Sequence, residues 1–433
     1  MLHPVTAKAL RDLRDQAEAL DAADHLAPMR DAFHHPRAAS GGEAVYFCGN
    51  SLGLQPRTTR AAMLQELDDW AAFGVEGHFH ARHPWFSYHE DLTAPLARLL
   101  GALPSEIAVM AGLTTTLHAL LVSFYQPTAE RFAIVLEAGA FPSDRYALAS
   151  HARLHGFDPA TTLIELAPRP GEHTLRLEDV QACLAERGGE IALVMLGGVQ
   201  YYTGQVHDMA AITAAARAQG CRVGWDLAHA AGNVELALHD WGPDFAAACS
   251  YKYLNAGPGS AAIAFVHERW EAAPELPRLA GWWGNDPASR FSMPQSFVPA
   301  RGAAGWQTSN APVFAMAPLR TSLALFDQAT LPALRAKSVA LTGLLQATID
   351  AFAPSLQGEA AIDVLTPRAP AARGCQLSLA LPGRAEALHG ALLAAGIVGD
   401  YRRPDVLRLA PVPLYNRFVD AVRFGEVLAS LLG

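Results

Sequence analysis

The chain has 433 residues, 51% hydrophobic and 17% charged, with a formal net charge of −9. That length allows a large core and roughly two or three domains, and the low charge density excludes a disordered chain. The acidic balance, without a basic tail or block, excludes nucleic acid as a partner, and no run approaches the roughly 18 apolar residues of a membrane span.

The opening residues, Met1-Leu2-His3-Pro4-Val5-Thr6-Ala7-Lys8, lack the apolar core of a signal peptide. Five cysteines (Cys48, Cys183, Cys221, Cys249 and Cys375) are scattered with no C-x-x-C spacing, so neither a disulfide framework nor a zinc site is expected. A cytoplasmic enzyme is the expectation.

Residues 1–60 carry an amphipathic opening helix and then Tyr46-Phe47-Cys48-Gly49-Asn50-Ser51-Leu52-Gly53-Leu54, a stretch of turn formers read as an ordered loop. Residues 61–315 read as a large α/β domain in which apolar runs alternate with helical patterns. His78, His80, His83 and His89 crowd a segment with Trp85, Phe86 and Tyr88, but no H-E-x-x-H or carboxylate-rich pattern joins them, and no metal is expected. Gly112-Leu113-Thr114-Thr115-Thr116 precedes an apolar-periodic helix over 117–124. A helix N-terminus suits a phosphate, although an ordinary threonine N-cap explains the pattern too.

The buried strand Ala133–Glu137 leads into Phe141-Pro142-Ser143-Asp144, where an aromatic could stack on a ring and a carboxylate support its nitrogen; a core phenylalanine before a turn is the alternative. Strands follow over 191–196, 222–225, Phe245–Cys249 and 261–266. An alanine-rich crossover helix over 209–219 ends at Gly220. Helices over 317–327 and 331–352 open a smaller C-terminal α/β domain, 316–433, with a strand over 376–381 and helices over 385–395 and 417–432. This alternation predicts an α/β fold, a mostly parallel sheet flanked by helices, with ligands at the carboxyl ends of its strands.

Two such ends carry the strongest chemical signal. Asp226 follows an apolar strand in Trp225-Asp226-Leu227-Ala228-His229, and Lys252 follows another in Ser250-Tyr251-Lys252-Tyr253-Leu254-Asn255. A lysine there can condense with an aldehyde cofactor, and an aspartate can hold that cofactor's ring nitrogen protonated, a pairing that suggests pyridoxal phosphate (PLP). Burial would make the lysine nucleophilic. An Asp226–His229 hydrogen bond and a surface lysine are the structural alternatives. Gly281-Trp282-Trp283-Gly284 and Gln307-Thr308-Ser309-Asn310-Ala311-Pro312 read as rigid loops, either core packing or a binding wall. Arg408 sits in an apolar strand, where a guanidinium demands an anion: a substrate carboxylate or a structural ion pair.

Together these segments resemble kynureninase, a PLP enzyme of the aspartate-aminotransferase fold type. The resemblance is carried by Cys48 to Leu54, Leu113-Thr114, Phe141 to Asp144, Tyr201-Tyr202-Thr203-Gly204, Asp226 to Ala230, Ser250 to Asn255, Gly281-Trp282, Ser309-Asn310 and, beyond them, Arg408. It implies that Lys252 binds the cofactor, that Asp226 and Asp144 hold the pyridinium, and that Phe141 stacks on the ring. Leu113, Thr114 and Tyr251 would surround the phosphate, with Pro142 and Ser143 beside them and His229 lining the site. Trp282 would close the phosphate side from the neighbouring subunit of a homodimer, with Asn310 close to it. Arg408 would bind the α-carboxylate, and His78, Ser51 and Asn310 would face the substrate's aromatic end.

The implied reaction is hydrolysis of the Cβ–Cγ bond of L-kynurenine, or its 3-hydroxy form, to anthranilate and alanine in tryptophan breakdown or NAD biosynthesis, with Tyr251 as proton donor. Gly197 departs from the resemblance, since the family often has a hydroxyl there and water would have to substitute. Competing expectations are a cysteine desulfurase or selenocysteine lyase, for which Cys375 is the tempting nucleophile, and a non-catalytic PLP-binding scaffold.

Overall fold

The computed structural model describes residues 4–39, 41–273, 275–353 and 361–432. Residues 1–3, part of the stretch read as lacking a signal-peptide core, lie outside the described residues. The chain divides into two compact units: Met1–Thr58 with Tyr202–Val206 and Ala324–Gly433, and Thr59–Tyr201 with His207–Leu323. No helix of the described residues is long and apolar enough to cross a membrane.

The first unit opens with the helix Pro4–Ala23 and the short strand β1 (Val45–Tyr46). The chain then builds the second unit around seven strands: β2 (Ile107–Met110), β3 (Ala133–Glu137), β4 (Leu163–Leu166), β5 (Ile191–Gly197), β6 (Arg222–Asp226), β7 (Phe245–Cys249) and β8 (Ala262–Val266). Back in the first unit come the helix Leu331–Asp350, strands β9 (Asp363–Val364), β10 (Leu377–Ala380), β11 (Ile397–Val398), β12 (Asp400–Arg402) and β13 (Val406–Leu409), and the helix Phe418–Leu432.

In the second unit the strand order is β2-β8-β7-β6-β5-β3-β4. The pairs from β4 to β7 are parallel, which is why those strands read as continuous apolar runs: helices cover both faces. Strand β8 runs antiparallel to β7 and β2. The helix Met209–Ala218 supplies one crossover. Its N-cap Asp208 accepts the Ala211 N–H at 2.9 Å, and Gly220 beyond its end takes φ +73°, a conformation glycine adopts freely. Phe124 stacks on Phe245 and on Trp306, with ring centroids 5.1 and 5.9 Å apart, at the centre of the core.

The pairing sets the carboxyl ends of β3, β5, β6 and β7 along one edge, with Gly197 opposite Asp226 and Asp226 opposite Ala247. The first unit has its own core. Its antiparallel sheet, ordered β12-β13-β10-β9, packs Leu377, Leu379 and Leu409 with Leu345, Phe424 and Leu428 of the two long helices.

Candidate active site

A cavity of about 240 Å³ opens at the carboxyl edge of the large sheet. Lys252 enters it just past β7 and is 9% exposed; its Nζ lies 3.0 Å from His229 Nε2. The ammonium also sits 5.8 Å from the ring centroids of Phe141 and Tyr251. Asp226, the last residue of β6, is buried, and its Oδ1 accepts the Ala228 N–H at 2.6 Å. That bond turns the chain so that His229 comes back toward Lys252.

Asp144, in the first turn of the helix Pro142–Leu154, faces Asp226 across the cavity wall. Burial first, then the hydrogen-bonded Asp226 carboxylate, hold the Asp144 carboxyl well above the usual range, with Lys252 opposing. Two buried carboxylates this close need a shared proton or a cation between them.

At the other side of the cavity two helix N-termini meet. The helix Leu113–Phe124 begins there after Gly112, and Pro142–Leu154 begins with Phe141 as its N-cap. Thr114 Oγ1 and Ser143 Oγ are 2.7 Å apart, and both line the cavity. Free N–H groups, two hydroxyls and two positive dipole ends make an anion site. Phe141 is 40% exposed and meets Tyr201 edge-on at 5.3 Å, leaving a ring face toward Lys252. Burial, then neighbouring Cys249, push the Tyr251 phenol up, so it keeps its proton at neutral pH.

This donor set fits PLP on its own chemistry: an amine for the aldehyde, a carboxylate pair for a pyridinium, and a hydroxyl-lined double helix N-terminus for a phosphate. Leu113, Thr114, Phe141, Ser143, Asp144, Asp226, His229, Tyr251 and Lys252 all line the one cavity, and Pro142 fixes the helix start between two of them.

The remaining expected residues lie elsewhere. His78 and Asn310 share a second cavity of the same unit, about 230 Å³, walled by Trp70, Trp85 and Phe314, with Glu66 behind. Glu66 is buried and accepts from Trp85 Nε1 and Tyr88 Oη, both at 3.0 Å. Trp282 is 41% exposed, and its Nε1 donates to the Arg290 carbonyl at 3.3 Å. Ser51 and Arg408 belong to the first unit and meet there: Arg408 donates to Ser51 Oγ at 3.2 Å and to Asp400 Oδ2 at 2.7 Å. Burial, the largest single influence, would push Asp400 up, but Arg408, Ser51 and Arg402 (2.9 Å away) together hold the carboxyl below its usual range.

Sequence reasoning missed Asp400, Glu66 and the buried Glu137–His207 pair. An acid closing the apolar run of β3 was the available signal for Glu137. The segment histidines are dispersed: His83 contacts Arg320, and His89 packs on Trp283. Among the described residues a different trio, Glu106, His239 and His267, brings ligand-type atoms together. Glu106 Oε1 already accepts His239 and the Glu268 N–H, and His267 Nδ1 already accepts the Arg269 N–H.

Comparison with known proteins agrees with this chemistry. Residues 45–355 match the family described as aminotransferase class-V, and residues 334–428 match the kynureninase C-terminal domain. The chain is 54% identical over 417 residues to the kynureninase of Myxococcus xanthus (strain DK1622), covering 96% of this chain and 97% of that one. It is 52% identical to that of Stenotrophomonas maltophilia (strain K279a), covering 97% and 98%. Among solved structures, a cysteine desulfurase from Thermococcus onnurineus NA1 aligns with a TM-score of 0.73 at 16% identity, covering 90% of this chain and 94% of that chain. A C-DES variant with glycine covalently linked to the PLP cofactor aligns with a TM-score of 0.75 at 18% identity, covering 89% and 96%. At those identities the structural likeness speaks for the fold alone.

Proposed function

The chain belongs to the kynureninase family, and from that premise we propose that it hydrolyses the Cβ–Cγ bond of L-kynurenine, or of its 3-hydroxy form, to anthranilate (or 3-hydroxyanthranilate) and L-alanine. The observation that carries this reading is the cavity in which Lys252, the Asp144–Asp226 pair and the paired hydroxyls of Thr114 and Ser143 converge. PLP, when bound, supplies the electron sink for the α-carbon of the substrate.

The protein's own groups do the rest. Lys252 would hold the cofactor through its amine, and that same amine, when free, would take the α-proton; His229, 3.0 Å away, keeps its Nζ aimed. Asp226 and Asp144 would hold the pyridine nitrogen protonated, and Phe141 would present its face to the ring. The first-turn N–H groups of Leu113 and Thr114, with Ser143, would take the phosphate. Tyr251, still carrying its proton, donates to the β-carbon as the acyl group leaves with water's oxygen. Arg408, with Ser51 beside it in the first unit, would be the guanidinium for a carboxylate, while Arg402 remains to balance Asp400. His78 and Asn310, which stand in the second cavity, would face the aromatic end only from the neighbouring subunit of a dimer.

We also propose a homodimer that completes the site, with Trp282 reaching across. Support comes from exposed apolar side chains: Phe79, Phe291 and Trp282, linked through ring contacts of Phe79 on Phe86 and of Phe291 on Phe86 and Trp282, together with Leu64, Leu67 and Trp70 on another helix of the unit. Sedimentation equilibrium should read twice the 46.2 kDa chain mass; a monomer at assay concentration contradicts the dimer. Among the described residues no two cysteines form a disulfide, which fits a reducing, cytoplasmic setting. Tryptophan catabolism or NAD biosynthesis is the pathway context that goes with the substrate.

The test of the reaction is product analysis. With PLP and L-kynurenine, anthranilate fluorescence should appear with an equal amount of alanine, whereas L-cysteine should release no sulfide. Sulfide without anthranilate would favour the desulfurase reading. Cys375, its tempting nucleophile, is 1% exposed in the first unit, which weighs against that reading.

A further inference from the structure

The wall of the Lys252 cavity carries a charged pair that the roles above leave unused. Glu137, the last residue of β3, is 4% exposed and lines the cavity. Its Oε2 lies 2.9 Å from Nε2 of His207, which is itself buried. The His207 backbone N–H donates to the Gly198 carbonyl at 3.1 Å, tying the pair to the end of β5. The other carboxylate oxygen faces Gly197, where an added Cβ would stand 3.4 Å from Glu137 Oε1. Glycine at 197 leaves that oxygen open to the cavity.

A buried carboxylate here is the third in one pocket, and an uncompensated one would be costly. Around Glu137 stand His207, Asp144 of the helix Pro142–Leu154, Asp226 and His229 at and after β6, and Tyr251 and Lys252 after β7; β4 contributes Leu166 beside it. Among the described residues, His207 is the one bonded to it at salt-bridge distance.

We propose that Glu137 and His207 form a positioning pair for the PLP pocket, in which His207 neutralises Glu137 so that Asp144 and Asp226 hold the pyridinium proton. Glu137 also contributes, after burial and Asp226, to holding the Asp144 carboxyl up, so its charge reaches that residue. The inference rests on the PLP reading of the cavity, which the visible absorbance of the unaltered holoenzyme tests separately.

The experiment titrates the visible band of the PLP-loaded protein with pH, and measures PLP retained on dialysis, in four forms: unaltered, Glu137→Gln, His207→Gln and the double variant. The acid form of the chromophore carries the extra proton, so nearby negative charge raises the midpoint and its removal lowers it. Glu137→Gln should move the midpoint down and His207→Gln up, each on the order of one pH unit, and the double variant should return near the unaltered value. Gly197→Ser removes no buried charge, and its hydroxyl can donate to Glu137 Oε1; it should move the midpoint down by a smaller amount and serves if a charge variant fails to fold. Folded variants with unmoved midpoints, or Glu137→Gln and His207→Gln moving together in one direction, would overturn the assignment.

Discussion

Lys252 and Tyr251 are neighbours in sequence with opposite duties. Lys252 is enclosed beside His229, while Tyr251 is half-buried in the same cavity. Burial that raises the Tyr251 phenol works against proton donation, so the acid role rests on its place beside Lys252, and Tyr251→Phe should slow anthranilate release on the order of 10²-fold or more while PLP stays bound. Unchanged turnover would remove Tyr251 from the proton path. Lys252 and Asp226 were legible because each ends an apolar run at a strand's carboxyl end. Asp400 was not. It meets Arg408 only through the antiparallel register of β12 on β13, and register is a tertiary fact. Glu137 and His207 are hidden for the same reason, being 70 residues apart.

At the scale of elements, the strands that hold the site are the ones the apolar runs marked most clearly. Strands β3 and β7 fall on the expected residues, and β5 and β6 each run one residue further, to Gly197 and Asp226. The helix after Gly112 starts at Leu113, earlier than the apolar periodicity over 117–124 suggested, because the threonines of its first turn carry no apolar signal. That early start is what brings Thr114 to Ser143. The direction of β8 was not legible at all, since a short apolar run reads alike either way. Close packing behind Asp226 is strict. Gly224 lies under Phe245, where an added Cβ would sit 2.2 Å from Cζ. Gly224→Ala should therefore cost about 1–3 kcal/mol, read as a lower denaturant midpoint at unchanged slope. No loss of stability would mean that β6 and β7 pack more loosely than described.

For the whole molecule, acid stability follows from buried neutral histidines. Burial, then Arg290, push His89 down to about 4, and burial, then His118 and His155, push His151 down to about 4. Between pH 6.5 and about 4 the unfolded chain binds protons at these positions that the native chain does not, so stability is complete above 6.5 and falls with pH through that window. His239 acts in the opposite sense. Its hydrogen bond to Glu106 raises it, so its contribution is present at low pH and lost as pH rises through its folded value. The thermal midpoint should drop between pH 7 and 4.5, and His151→Gln should flatten the decline; an unchanged slope in that variant would contradict the assignment. Lys252 is the residue on which the whole site depends. With PLP alone, the Lys252→Ala protein is expected to lack the visible cofactor band of the unaltered enzyme, and with L-kynurenine added it is expected to release no anthranilate; a Lys252→Ala protein that keeps that band before substrate is added, or turns over at the unaltered rate, would contradict this role.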